Sequence, residues 1–221
     1  MSYGHAFERL RQAAPAWHAY THHPFVQGLG DGSLPRAAFL NYLVQDYLFL
    51  IQFSRAWALA VVKAGDLEEM RAAAATVHTL LDHEMGLHVQ SCAAAGIDTK
   101  AMLSTPEAIT NIAYTRYVLD AGLAGDFLDL LAALMPCVLG YGEIGARLLR
   151  EAAPDNPYRD WIETYGGAQY QQACIDAGAL LDSAIDNRLG TVPETSPRWS
   201  ALESRFATAT RLEVAFWGLG T

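Results

Sequence analysis

Hydrophobic residues recur along the chain with a helical period from one end to the other. They fall three and four positions apart over long stretches, and no run alternates apolar and polar residues as a half-buried strand would. This pattern predicts an all-α fold. The connections between the apolar stretches are short, and no linker or repeat divides the sequence. The helices are therefore expected to pack as antiparallel neighbours in one helical bundle, a single domain over residues 1–221.

Residues that start and stop helices set the boundaries of the predicted elements. Ser33 is the expected N-cap of the second helix and Asp66 of the third. Pro15 is expected to bend the first helix and Pro136 to kink a later one, because proline removes a backbone hydrogen bond. His22-His23-Pro24 is interpreted as a turn into a short helix. The predicted helices cover residues 5–20, 33–63, 66–95, 105–122, 126–153, 157–164, 168–189 and 197–219, of which 157–164 is short.

Composition and charge narrow the possible partners. Hydrophobic residues make up 52% and charged residues 18% of the 221 residues, which is typical of a globular protein. The net charge of −9 argues against nucleic acid as a partner, because neutralising phosphates requires a basic face. The N-terminal residues lack a basic region followed by an apolar one, so no signal peptide is expected. The most apolar stretches, Phe53–Val62 and Leu128–Leu139, are too short or interrupted to span a bilayer. We expect a cytoplasmic protein with free thiols and no membrane partner.

Cys137 is the first candidate for chemistry. It directly follows the helix-interior Pro136, and Tyr141 lies four positions further on the same helix face. Such a cysteine is either a nucleophile beside a distorted backbone or a small buried hydrophobe. Spacing alone favours the buried hydrophobe.

Two carboxylates lie within apolar segments. Glu213 shares a helix face with Phe216 and Trp217, so desolvation should raise its pKa and suit it to acid/base work. The alternative is an edge carboxylate paired with Arg211 or Arg205. Asp46 lies in an aromatic run three residues before Phe49, and a buried acid needs a partner. That partner is either a ligand or a neighbouring Tyr or His.

Tyrosines and histidines complete the candidates. Tyr114, Tyr117 and Tyr165 are either walls for a flat heteroaromatic ligand or ordinary core residues. Glu84 and His88 are four apart and could share a metal, but a di-iron bundle takes Glu-x-x-His pairs from two helices. All seven histidines lie in the first 88 residues. The sequence therefore predicts no metal and no cofactor.

Taken together, these segments resemble the TenA family of thiaminase II enzymes over nearly the whole chain. The family pattern lies in their joint order and spacing rather than in any single segment. The matching segments are His23-Pro24-Phe25-Val26, Gly32-Ser33-Leu34-Pro35, Gln45-Asp46-Tyr47, Tyr114-Thr115-Arg116-Tyr117, Pro136-Cys137-x-x-x-Tyr141 with Ile144-Gly145, Trp161-Ile162-x-Thr164-Tyr165, and Glu213-x-x-Phe216-Trp217.

The resemblance implies a heme-oxygenase-like bundle without heme, assembled as a homotetramer. It implies hydrolysis at the C5 methylene of aminopyrimidines in thiamin salvage. Thiamin or the aminomethyl-aminopyrimidine would be the substrate and hydroxymethylpyrimidine the product. Cys137 would be the nucleophile and Glu213 the acid/base, while Asp46 would hold the aminopyrimidine. Aromatic residues implied in the pocket are Phe49 (tyrosine in some relatives), Tyr114, Tyr141, Tyr165 and Phe216.

Two other functions fit the same fold. One is an oxidase of the PQQ-synthesis type or a di-iron oxygenase, which the histidine-free second half opposes. The other is a non-catalytic pyrimidine-binding regulator, for which the sequence offers no recognisable DNA-reading helix.

Overall fold

Within residues 2–220, the part of the chain that this computed structural model describes, every regular element is a helix. The predicted all-α fold is confirmed. The first and last residues of the predicted domain lie outside the described residues. The helices are α1 His5–Gln12, α2 Trp17–Thr21, α3 Pro24–Asp31, α4 Arg36–Lys63, α5 Leu67–Thr79, α6 Met85–Ala93, α7 Thr99–Ser104, α8 Ile109–Ala124, α9 Phe127–Glu151, α10 Arg159–Gly166, α11 Ala168–Leu189 and α12 Pro197–Trp217.

Helix α9 forms the centre of the fold and packs against α4, α8, α10, α11 and α12. Residues 127–142 are all buried. The helix is longer than the apolar stretch seen in the sequence, and it is long and apolar enough to cross a membrane. Its most apolar window is, however, 94% buried within the protein, so α9 is accounted for as a core helix.

A polar anchor fixes the start of α9 relative to α12. Asp126 caps the helix, and Asp129 completes a capping box with it. The buried Asp129 carboxylate also accepts hydrogen bonds from Arg198 and Arg205 of α12. Burial alone would raise the pKa of Asp129, but these charge-assisted bonds lower it to about 2. The anchor therefore holds the helix of Cys137 against the helix of Glu213.

Several predicted boundaries are wrong, and proline explains most of them. Ser33 does not cap α4, because Pro35 disfavours helical backbone at the preceding residue and the helix begins only at Arg36. The first predicted helix is broken rather than bent, with Pro15 in the link between α1 and α2. Likewise Thr105, which precedes a proline, is extended, so α8 begins at Ile109.

The predicted helix over residues 66–95 is divided by a π-helical turn. This turn, Leu80–Glu84, joins α5 to α6, and the Met85 amide donates to the Leu80 carbonyl. A π turn holds an extra residue, so the face that points inward changes from one helix to the next. After the turn His88 is fully buried and Glu84 faces a cavity.

Glycine allows α9 and α10 to approach closely. A side chain at Gly145 would clash with the backbone of Tyr165 and Gly166. The absence of a β-carbon therefore lets the α10 backbone rest on α9 and positions the Tyr165 ring beside Tyr141.

Candidate active site

Glu213 of α12 is a buried carboxylate that lies between a hydroxyl and a thiol. The Tyr114 hydroxyl donates a 2.7 Å hydrogen bond to its Oε1 atom. Burial raises the pKa of Glu213 to about 8, although its bonds with Tyr114 and Cys137 act in the opposite direction. Around neutral pH this carboxyl therefore carries a proton that it can donate.

The Cys137 thiol of α9 is buried against this carboxyl. Burial raises its pKa well above the ordinary value, and the charges of Glu213, Glu84 and Asp46 raise it further. The charged groups that act on it most strongly are all acidic, so none of them helps to ionise the thiol. The resting thiol is protonated.

A second polar group is centred on Asp46 of α4. Its Oδ2 atom accepts hydrogen bonds from the Tyr42 hydroxyl at 3.0 Å and from His88 Nε2 at 2.6 Å. Burial alone would lower the pKa of His88, but the bond to Asp46 and its charge reverse the effect and raise it. The His88 Nδ1 atom meets the Glu84 backbone carbonyl at 2.9 Å. Asp46 and His88 thus form a buried ion pair.

Aromatic rings connect the two polar groups. Phe49 lies 5.1 Å from Tyr114 and 5.3 Å from Phe216 between ring centroids. Tyr141 stacks on Trp217 and meets the edge of Tyr165. The eight predicted site residues therefore fall in one continuous cluster, built from α4, α8, α9, α10 and α12.

A cavity of about 310 Å³ reaches this cluster at the thiol. Cys137 and Glu84 are part of its wall, together with Tyr170 and apolar side chains of α4, α5 and α11. The carboxylates of Asp46 and Glu213 are not among its lining residues, although the charges of both act on the Cys137 thiol. A second cavity, of about 520 Å³, shares Glu84 and Tyr170 with the first.

The alternatives left open by the sequence can now be compared with the contacts. Pairing of Glu213 with Arg205 or Arg211 is wrong, because Arg205 bonds Asp129 and Arg211 bonds Thr208. Asp46 has the neighbouring Tyr and His partners that the sequence allowed. Asp46 can be both a structural and a ligand-binding carboxylate, because Tyr42 and His88 both bond Oδ2 and leave Oδ1 for a ligand.

Three residues of the site were not predicted: Tyr42, Glu84 and His88. The only signal for the last two was their spacing of four, which had indicated a possible metal pair. Instead, both ring nitrogens of His88 are engaged by Asp46 and by the Glu84 backbone. Among the side chains that the structure describes, which do not include His83, no three His, Cys, Asp or Glu form a cluster that could hold a metal.

Comparisons with known proteins identify the family of this chain. Residues 10–220 match the TENA/THI-4/PQQC family. A Halalkalibacterium halodurans protein named aminopyrimidine aminohydrolase is 37% identical, with 94% of this chain and 91% of the relative covered. A Bacillus subtilis protein of the same name is 31% identical, with 96% and 88% covered. The crystal structure of a protein described as a TenA family transcription regulator from Silicibacter sp. TM1040 is 59% identical with a TM-score of 0.96, and covers 99% of this chain and 97% of its own. This chain belongs to the TENA/THI-4/PQQC family.

Proposed function

We propose that this protein is an aminopyrimidine aminohydrolase of thiamin salvage. It would replace the amino group at the C5 methylene of an aminomethyl-aminopyrimidine by a hydroxyl, and thiamin would be a second substrate. The observation that carries the proposal is the contact of one protonated carboxyl, Glu213, with the Cys137 thiol at the end of a cavity. Two relatives named for this activity support it.

Asp46 would hold the pyrimidine and Glu213 would activate it. The amino group and adjacent ring nitrogen of the substrate would bond the Asp46 carboxylate. Tyr42 and His88 both bond its Oδ2 atom, which leaves Oδ1 available for the substrate. Glu213 would donate its proton to the ring, which makes the ring electrophilic. Phe49, Tyr114, Tyr141, Tyr165 and Phe216 would pack around the flat ring.

Cys137 would then add to the ring as the nucleophile. Because its thiol is protonated at rest, it needs a base at the moment of attack. Glu213 becomes such a base once it has given its proton to the ring, so it would take the thiol proton as the sulfur–carbon bond forms. The electron pair gained by the ring would expel the C5 substituent, water would add to the methylene, and the thiol would leave.

Ammonia release from the aminomethyl-aminopyrimidine tests this proposal. We expect turnover by the wild-type protein and a loss of at least about 100-fold in kcat for Cys137→Ser, because the hydroxyl is a far poorer nucleophile. Cys92→Ser is the matched control, since Cys92 is a buried thiol outside the cluster. Near wild-type turnover by Cys137→Ser would overturn the nucleophile. Failure of the wild-type protein on a panel of C5-substituted aminopyrimidines would overturn the function.

A regulatory role is the second candidate, favoured by the description given to the Silicibacter relative. The net charge of −9 opposes direct contact with DNA. Ammonia release without DNA binding in a gel-shift assay would support the enzyme, and the reverse result would support the regulator.

We also propose a cytoplasmic homotetramer. Large apolar side chains are exposed at Val62, Leu67, Ile109 and Leu123, which suits subunit contacts. Light scattering of the purified protein would give about four times the 24.1 kDa chain mass. A monomer would contradict this assembly.

A further inference from the structure

Glu84 is a carboxylate at the site that the mechanism above does not use. It ends the π-helical turn, and the Tyr165 hydroxyl donates a 2.8 Å hydrogen bond to its Oε1 atom. Burial, and then the charge of Asp46, raise the pKa of Glu84 to about 7, against the opposing effects of His88 and Tyr165. A carboxylate held there despite the cost of desolvation indicates a use for its charge.

The position of Glu84 relative to Cys137 indicates what that use is. Both side chains line the same 310 Å³ cavity, and the charge of Glu84 raises the pKa of the Cys137 thiol. Asp46 and Glu213, which would contact the pyrimidine ring, lie outside the cavity lining. A ring placed between them and attacked by Cys137 would direct its C5 substituent into the cavity, towards Glu84.

Apart from its two acidic residues, the cavity is unsuited to a cation. Most of its described wall is apolar, including Leu50, Phe53 and Val138. Its charged lining residues are Glu84 and Asp176, with no Lys or Arg among the described residues there. An ammonium group entering such a space would lose its hydration and its proton unless a negative charge met it.

We propose that Glu84 receives a positively charged amine at the C5 methylene, and so selects an aminomethyl pyrimidine over its neutral hydroxymethyl counterpart. This inference rests on the proposed function. Oε1 is bonded to Tyr165, which leaves Oε2 to accept a hydrogen bond from the ammonium. The same carboxylate discriminates substrate from product, because the product carries no charge at that position.

The proton balance follows from this placement. When the carbon–nitrogen bond breaks, its electron pair stays on nitrogen and the neutral ammonia remains in the cavity. Water then adds to the methylene carbon, and Glu84 takes the proton that the water loses. The carboxyl returns that proton to ammonia, which leaves as ammonium. The sum is the aminomethyl substrate, protonated on its amine, plus water giving the hydroxymethyl product plus ammonium.

Paired binding measurements test the selection. In a Cys137→Ser background, calorimetry would compare the aminomethyl-aminopyrimidine with hydroxymethylpyrimidine, with and without Glu84→Gln. Glutamine keeps an acceptor for Tyr165 and removes only the charge. We expect binding of the aminomethyl ligand to weaken about tenfold to 100-fold, the range of a charge-assisted hydrogen bond, and binding of the hydroxymethyl ligand to stay almost unchanged.

Glu143→Gln is the matched control, because Glu143 is another partly buried glutamate, bonded to Arg11 and Trp17 away from the cavity. It should leave both affinities unchanged. Glu84→Asp, which keeps the charge, should retain part of the preference for the aminomethyl ligand. Equal weakening of both ligands by Glu84→Gln, or an unchanged preference, would overturn the inference while leaving the proposed function intact. If neither ligand binds the Cys137→Ser protein, the proposed function itself fails.

Discussion

Replacing Glu213 by glutamine should change how the stability of the protein depends on pH. The folded protein holds the Glu213 proton up to about pH 8, whereas an unfolded glutamate loses it near 4.5. Between these values the folded state binds one more proton than the unfolded state, so stability falls as pH rises. Glutamine removes this titration and still accepts the hydrogen bond from Tyr114.

The size of the effect follows from the shift. One proton corresponds to about 1.4 kcal/mol per pH unit, so Glu213 should reduce the free energy of unfolding by roughly 2 kcal/mol between pH 6 and pH 8. For a chain of this length that is roughly 4–8 °C in Tm. Glu84 and His88, whose pKa values are also raised, add to the decline in both proteins and cancel in the comparison.

Urea denaturation at intervals from pH 5 to pH 9 measures the effect. We expect the wild-type curve to fall more steeply than that of Glu213→Gln from pH 5 to about pH 8, and the two slopes to become similar above that pH. Glu203→Gln is a control, because that glutamate pairs with Trp199 outside the site. If wild type and Glu213→Gln share one slope, the proton is not held by Glu213 and the acid role assigned to it is refuted.

Three further predictions concern the Asp46 group and its neighbours. Asp46→Asn should raise KM for the aminopyrimidine about tenfold to 100-fold, and an unchanged KM in steady-state assays would refute the gripping role. His88→Phe should lower the free energy of unfolding, measured by urea denaturation, by about 3–5 kcal/mol, because it leaves a buried carboxylate without its cation. Adding Asp46→Asn should recover part of that loss. Strictly additive losses would show that the two residues are not coupled. In the wild type the hydrogen bond from Tyr165 lowers the pKa of Glu84, so Tyr165→Phe should move that pKa above about 7. As the pH falls, the Glu84 carboxylate is then neutralised sooner, and the preference for the aminomethyl ligand should disappear at a higher pH than in the wild type. An unchanged midpoint in the pH dependence of this preference would contradict the hydrogen bond from Tyr165 to Glu84.

The helical class and most helix positions follow from the sequence, because helix periodicity and caps are local properties. Asp126 and Asp66 cap the helices predicted for them. Local reasoning fails where proline acts on the residue before it, as at Leu34 before Pro35 and at Thr105 before Pro106. It also fails at the π-helical turn Leu80–Glu84, because no residue in the sequence marks this turn. The turn occurs where Glu84 and His88 make tertiary contacts.

The candidate site divides in the same way. Sequence order, through family resemblance, identifies Cys137, Glu213 and Asp46, and the apolar neighbours of Glu213 already predict a raised pKa. Only the tertiary structure pairs Asp46 with His88 and places Glu84 beside Cys137. These partners are 42 and 53 positions apart in the chain, on different helices. Hydrogen bonds and charges act through space, so their partners are decided by how the helices pack.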